Sequence, residues 1–198
     1  MKKKEFQPQK IKRRICTQKG QVHWVMGLFM VLTMSVLLLS VLQIFGYRIT
    51  ACYMEDALAA SNLASALVDL PEYGSSHKIR IVNPLQAYER YCEALKGNLN
   101  LDEAFQCPNQ KVVSGPVRIV SYIIYNVWED MVQICFVTDG RVQESYGVLG
   151  TVMAPNGLMV ESTSIYSEIC FPVRGIWNIE VTAKKGKLVD IVAEGKEL

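Results

Sequence analysis

The sequence contains one run of twenty-four residues without a charged side chain, from residue 24 to residue 47. A bilayer core roughly 30 Å thick takes about 20 apolar residues in a helix, so this run predicts a transmembrane helix. Residues 48–70 follow without a Gly or Pro break and are rich in Ala and Leu, until Pro71 ends the pattern. We therefore expect one helix over residues 24–70, roughly 70 Å long at about 1.5 Å per residue, with an amphipathic part outside the membrane.

The charges near the amino terminus predict the orientation of this helix. Residues 1–23 form a basic leader with eight Lys or Arg side chains and a single acidic residue, Glu5. The positive-inside rule places the leader in the cytoplasm and everything after residue 47 outside the cell membrane. From residue 24 onward thirteen basic residues stand against eighteen acidic ones. Nucleic acid is therefore not expected as a partner, whereas anionic membrane lipid suits the leader.

Aromatic and basic residues mark both ends of the predicted span. Trp24 at one end, and Tyr47 with Arg48 at the other, are side-chain types enriched at membrane interfaces, and we interpret them as interfacial anchors. A cleaved secretory signal is not expected, because the apolar run exceeds the usual length of about 7 to 15 residues and no Ala-x-Ala site follows. Residues 49–52 form a degenerate lipobox ending at Cys52. Because Arg48 interrupts the apolar approach to it, we interpret Cys52 as a helix residue near the headgroups.

The remaining chain predicts a linker over residues 71–83 and one extracytoplasmic α+β domain over residues 84–198. Asn83 followed by Pro84 starts a short helix, and Gly97 ends it. Turn-forming residues then separate strand-like segments at residues 117–125, 131–138, 141–148, 158–170, 176–183 and 187–192. The predicted fold class is α+β: one long N-terminal helix, transmembrane and then amphipathic, a short helix, and an antiparallel meander sheet of about five or six strands.

Within these elements the sequence also predicts which residues are buried. Met54, Leu58, Leu63, Leu67 and Leu70 form one apolar stripe on the outer helix, and the Ala- and Ser-rich side opposite is smooth enough for another helix to pack closely. In the last strands, Ile179, Val181 and Ala183 alternate with polar residues, which is typical of a sheet with one packed face and one wet face.

Four of the six cysteines lie in the predicted outer domain, and they permit two disulfides. We favour Cys92 with Cys107, which closes a short loop, and Cys135 with Cys170, which would join two strands. The alternative is four buried free thiols, since Cys is among the most buried residue types.

No catalytic, cofactor or metal site is predicted. The chain has two histidines, His23 at the membrane edge and His77 in the linker, which leaves a nucleophilic triad or a metal site short of ligands. Carboxylates such as Glu168 and Glu180 alternate with apolar residues, as on a solvated sheet face, and no phosphate-binding glycine loop is present. We expect a protein that is not an enzyme.

The layout resembles that of type IV pilin-like proteins: a basic leader ending in Gly20, an apolar helix, an Ala-rich amphipathic continuation and an antiparallel-sheet domain. Residues 53–69, YMEDALAASNLASALVD, are also similar to exported proteins of Gram-positive bacteria with tight-adherence (Tad) pili, including TadE-like pseudopilins. This resemblance implies cleavage by a prepilin peptidase after Gly20, which makes Gln21 the first mature residue. The family has Glu at the fifth mature position, where this chain has Val25.

The resemblance also implies a function. The chain would be a single-pass structural component of a Tad or type IV pilus or secretion assembly, packing through residues 24–70 against other pilin-like subunits, the machinery, or copies of itself. In such an assembly the apolar helices stay buried against one another. The alternative is a membrane-anchored extracytoplasmic ligand-binding or sensory domain. Cleavage after Gly20 with crosslinking to pilus components fits the first hypothesis, and an intact membrane monomer or dimer fits the second.

Overall fold

The computed structural model describes residues 12–76, 78–108, 113–138, 140–175 and 179–191, with the side chains of residues 12–22, 70 and 72 left out of the description. The chain divides into two units, the first ending at Gly46 and the second beginning at Tyr47. Helix α1, Lys12–Ser65, begins in the first unit and ends in the second. Among the described residues, it is the one helix long and apolar enough to cross a membrane.

In the first unit the large apolar side chains of α1 are exposed, from Trp24 through Phe45. The hydroxyl groups among them form hydrogen bonds within the helix itself. Thr33, Ser35 and Ser40 each donate a hydrogen bond to the carbonyl four residues earlier, at 2.8 to 2.9 Å. Such internal bonds are the usual way in which a hydroxyl is accommodated in an apolar helix.

The end of α1 differs from the prediction, because it lies at Ser65 and not at residue 70. Beyond Ser65 the backbone pairs with another segment: Val68 forms a bridge with Ile81, and the Asp69 N–H donates to the Arg80 carbonyl at 3.1 Å. Tertiary pairing therefore overrides the helical propensity of these residues. The predicted linker then contains a short helix, α2, Leu70–Ser76.

Helix α3, Pro84–Leu99, begins as predicted and ends later than predicted. The Asn83 side chain accepts a hydrogen bond from the Gln86 N–H at 3.1 Å, and Pro84 occupies the first turn. The helix continues through Gly97 because Asn100 takes the left-handed conformation that ends it, with φ 51°.

The remaining elements form one five-stranded sheet with order β3-β2-β1-β4-β5, in which every neighbouring pair is antiparallel. This confirms the α+β class. The connectivity departs from a simple meander, because β4 pairs with β1 and residues 149–163 cross to reach it. The strands are β1 Arg118–Trp128, β2 Met131–Thr138, β3 Arg141–Val148, β4 Ser164–Arg174 and β5 Glu180–Asp190.

The turns confirm some strand boundaries and correct others. Trp128 pairs with Met131 and Thr138 with Arg141, so the first three predicted segments are joined by tight hairpins at the turn-forming residues between them. The last two predicted strands are instead one strand, β5, because Gly186 lies within the ladder opposite Glu168. The run at residues 158–170 becomes a strand only from residue 164, and its first part belongs to a turn in which Gly157 has φ +82°.

Both faces of the sheet centre are packed. On β1, Tyr122 and Ile124 point toward α1 and α3 in one apolar cluster, while Ile123 and Tyr125 point to the opposite face. Residues of the crossing segment, including Ala154 and Val160, cover that second face. The wet face predicted from alternation is therefore confined to the sheet edges.

Candidate assembly surface

The part of α1 in the second unit, residues 47–65, docks on the sheet through one face. Six of its residues are at most 6% exposed and recur at three- and four-residue spacing, which places them on one side of a helix: Met54, Ala57, Leu58, Ser61, Asn62 and Ser65. The predicted stripe is confirmed at two of its five positions, since Leu67 lies beyond the end of α1 and the side chain of Leu70 is outside the described part of the chain. Met54 and Leu58 are buried, but Leu63 is 54% exposed, and Ser61 and Ser65 take the place that larger apolar residues were expected to fill.

Hydrogen bonds explain why small polar residues are buried in this face. The Asn62 amide nitrogen donates to the carbonyls of Ile165 and Lys187 at 3.3 and 3.1 Å, bridging α1 to β4 and β5. The Ser65 hydroxyl lies 2.8 Å from the Tyr122 hydroxyl on β1. Buried donors paired in this way cost little, whereas the Asn62 Oδ1 atom has no hydrogen-bond partner within the described residues. The Ser- and Asn-containing side of the helix is therefore a sheet contact.

An ion pair reinforces the same contact at its margin. Glu55 accepts bonds from Lys185 at 2.7 Å and Lys187 at 2.8 Å, both on β5. Hydrogen bonds from Lys185 and then Lys187, together with their charges, lower the pKa of Glu55 to about 2. The carboxyl group is one-third exposed, so water screens much of the attraction.

The opposite side of residues 47–65 faces away from the sheet. Ile49 is 70% exposed and Leu63 is 54% exposed, and Cys52, Asp56 and Ala60 between them are also exposed. We call these five residues the outward face. Their spacing of three or four residues places them in one row, and Cys52 and Ala60 are small enough for another helix to approach closely.

The predicted anchors and cleavage site lie along the same helix. Trp24 is 80% exposed and Arg48 is exposed, whereas Tyr47 is half-buried and packs against the sheet-side core. Gly20 lies inside α1, in the stretch for which side chains are not described. His77 lies outside the described residues. The structure thus places Tyr47 at the point where α1 passes from exposed to packed.

A small apolar cavity adjoins Tyr47. It has a volume of about 110 Å³ and lies between the first turn of α1 in the second unit and the paired strands β4 and β5. We call it the helix–hairpin cavity. Its lining residues, most of them apolar, are Tyr47, Thr50, Ala51, Phe171, Val173, Val181 and Ala183. The packed face predicted for the last strands is incomplete here, because Ile179 is 59% exposed and Val181 is 49% exposed.

The four outer-domain cysteines are free thiols in the structure. Cys135 lies opposite Ile124, and Cys170 lies opposite Arg118 on the other side of β1. Six residues along a strand span roughly 20 Å at about 3.3 Å each, whereas a disulfide needs Cα atoms within about 7 Å. The predicted Cys135–Cys170 bridge is therefore wrong, because β1 separates the two strands.

Cys92 and Cys107 are also free, and both are half-buried against the sheet-side core. Burial raises the pKa of Cys92, and it raises the pKa of Cys135 to about 11. Thiols with raised pKa values stay protonated at neutral pH and are poor nucleophiles. Of the four buried free thiols that the alternative predicted, Cys135 and Cys170 are buried, whereas Cys92 and Cys107 are half-buried.

Within the described ranges, no group of three or more His, Cys, Asp or Glu side chains is placed to hold a metal ion.

Sequence reasoning missed two residues that fix α1 on the sheet, Asn62 and Glu55. A signal for Asn62 was present, because residues 54, 57, 58, 61, 62 and 65 share one helical face. None was available for Glu55, whose partners lie more than a hundred residues away in sequence.

No protein-family model, curated protein or solved structure matches the chain.

Proposed function

We propose that the chain is a single-pass, pilin-like structural subunit, with its amino terminus in the cytoplasm and its sheet domain outside, that assembles through α1. One observation carries the proposal. The same helix exposes apolar side chains throughout the first unit, docks one face on the sheet in the second, and leaves the outward face uncovered there.

The exposed apolar side chains of the first unit need an apolar environment. Surfaces of this size do not remain in contact with water in a stable protein. A bilayer supplies that environment before assembly, and the matching helices of other subunits supply it afterwards. The bonded hydroxyls of Thr33, Ser35 and Ser40 suit either surrounding, since they leave no free donor.

The outward face offers a second surface for helix packing, within the second unit. Small residues at positions 52 and 60 allow a second helix to approach, and Ile49 and Leu63 provide apolar contact. Tyr53, beside this row, donates to the Asn98 carbonyl at 2.8 Å and so holds α3 to one side of it. A ligand-binding domain on an anchor would not require such a face to stay uncovered.

Cysteine crosslinking in cell membranes tests the proposal. In a Cys52→Ser background, Leu63→Cys places a thiol on the outward face, and Glu89→Cys places one on the exposed side of α3 as a matched control. We expect oxidative crosslinks to a second copy or to another pilin-like subunit for Leu63→Cys, and no increase over background for Glu89→Cys.

Mass spectrometry of the native amino terminus adds an independent readout. A chain that begins at Gln21 supports prepilin-type processing after Gly20. An intact Met1 form that gives no Leu63→Cys crosslink would contradict the proposal and favour the membrane-anchored sensory domain.

A further inference from the structure

We propose that the helix–hairpin cavity binds the acyl chain of a membrane phospholipid. The proposal rests on the membrane anchoring of residues 24–47 argued above. It concerns a surface that packing through the outward face does not use, since the cavity lies on the sheet side of α1.

The lining of the cavity suits a hydrocarbon chain. Phe171, Val173 and Val181 form its strand wall, and Ala51 contributes a methyl group from α1. The cavity is half open, so its apolar walls stay uncovered unless an apolar group enters it. At about 110 Å³ the cavity holds the last few carbon atoms of an acyl chain.

The position of the cavity points to a lipid as the occupant. Tyr47 closes the apolar run that predicts the span, and Thr50 and Ala51 lie within about one helical turn, roughly 6 Å, of it. The cavity therefore lies at the level where headgroups and acyl chains meet. Arg48 is exposed beside Tyr47, as expected of a basic residue among lipid headgroups.

The exposed apolar residues near the cavity support the same occupant. Val181 lines the cavity and is 49% exposed, and Ile179, two residues before it, is 59% exposed. In water these side chains would leave apolar area uncovered, whereas a lipid that enters the cavity covers Val181. Contact with an acyl chain therefore accounts for the exposed side chain of Val181 near the start of β5.

Photolabelling of the full chain in vesicles tests this proposal. The vesicles contain phosphatidylcholine, phosphatidylglycerol and a trace of phosphatidylcholine with a diazirine at the end of one acyl chain. Acyl ends otherwise lie at the bilayer centre, so a label on Phe171, Val173 or Val181 reports a chain that has entered the cavity. We expect such labels in addition to those on residues 24–46.

A filled cavity provides the decisive comparison. Ala183→Leu places extra carbon atoms in the cavity, and we expect the label on Phe171 and Val173 to fall about fourfold, the factor that corresponds to burial of roughly one methylene group. Ala60→Leu makes the same substitution on the outward face of α1 and should leave the label unchanged. Circular dichroism of both variants verifies that the sheet is intact.

Three outcomes would overturn the lipid site. Labels confined to residues 24–46, or equal labelling of the wild type and Ala183→Leu, exclude an acyl chain in the cavity. Disulfide-linked dimers of a Val181→Cys variant would show that a second copy covers it. Extraction of the chain by alkaline carbonate separates the two proposals: a chain that remains in the vesicles with an unlabelled cavity loses only the lipid site, and an extracted chain loses the anchoring as well.

Discussion

At the scale of single residues, Asn62 joins α1 to two strands of the sheet. It is fully buried, and its amide nitrogen bridges the carbonyls of Ile165 and Lys187 on two different strands. An apolar residue at this position would leave those carbonyls without this donor. The polar side chain therefore specifies where the helix docks as well as how tightly.

Replacement of Asn62 tests this role. We expect Asn62→Ala to lower the free energy of unfolding by about 2 kcal/mol, because one buried and one partly buried hydrogen bond are lost. Leu63→Ala on the outward face is the matched control and should change it by less than about 0.5 kcal/mol. Urea unfolding of the full chain in detergent, followed by circular dichroism, measures both. Equal effects of the two variants would show that Asn62 does not secure the docking.

The lowered pKa of Glu55 predicts that the stability of the fold depends on pH, and it also gives the sign of that dependence. The folded-state pKa is about 2 and the ordinary value is 4.5, so the ion pairs with Lys185 and Lys187 stabilise the fold above pH 4.5. That contribution is lost as the pH falls from 4.5 toward 2. Because the group is one-third exposed, we expect less than about 1 kcal/mol.

The variant Glu55→Gln should therefore be less stable than the wild type at pH 6, and the difference should shrink as the pH falls through this window. Glu161→Gln, which removes an exposed carboxylate outside the Glu55 ion pair, provides the control and should show no such convergence. Urea midpoints of the three proteins at pH 6, 4 and 2.5 measure the effect. A difference between wild type and Glu55→Gln that does not change with pH would contradict the assignment.

At the scale of elements, β5 shows how a glycine can be misread from sequence. Lys185-Gly186 predicts a turn, yet Gly186 pairs with Glu168 in the middle of β5. A Cβ atom on Gly186 would lie 2.3 Å from the Tyr166 hydroxyl and 2.9 Å from its ring. The residue is a glycine because an aromatic ring lies against the backbone there.

Substitution of Gly186 tests whether the Tyr166 ring is what requires a glycine at this position. We expect Gly186→Ala to destabilise the fold by about 1 to 3 kcal/mol, because Tyr166 must move from its packed position. A second change, Tyr166→Ala, should remove most of that penalty in the double variant, relative to Tyr166→Ala alone. Thermal unfolding of the four proteins measures the coupling, and additive effects would show that the ring does not impose the glycine.

The predictable parts of the fold were those fixed by neighbouring residues. The helix start at Asn83-Pro84 and the two tight hairpins depend on local backbone chemistry, and all three are present. The end of α1 and the continuity of β5 depend on contacts with distant residues, Arg80 and Tyr166, which no local pattern reveals. The same limit applies to the outward face. The sequence predicts the helix that carries it, but the face of α1 that docks depends on Asn62 and on the shape of the sheet.

At the scale of the whole molecule, α1 has two parts with different surroundings, an exposed apolar part and a part that docks on the sheet. Its exposed apolar part requires an apolar surrounding, and its docked part supplies one wall of the sheet-side core through Met54 and Leu58, both fully buried. The sheet face that they cover includes Ile124 and Ile165. The boundary between the two units at Gly46 therefore lies within a helix, and the second unit includes the docked part.

Truncation on either side of the docked segment tests this division. A chain over residues 47–198 should be soluble and cooperative in urea unfolding, because it keeps the helix wall of its core. A chain over residues 66–198 should aggregate or fail to fold. Burial of Met54 and Leu58 contributes about 3 to 6 kcal/mol, which is comparable to the whole stability of a typical domain.

A variant with both core contacts weakened separates the loss of packing from the loss of chain length. In the 47–198 chain, Met54→Ala with Leu58→Ala should reproduce much of the instability of residues 66–198, because each change leaves a cavity against the sheet. Ile49→Ala with Leu63→Ala, on the outward face, should leave the protein folded. Gel filtration and urea unfolding measure all four proteins. If residues 66–198 alone unfold at the same urea concentration as residues 47–198, the docked helix is dispensable for the sheet domain, and its role lies in assembly alone.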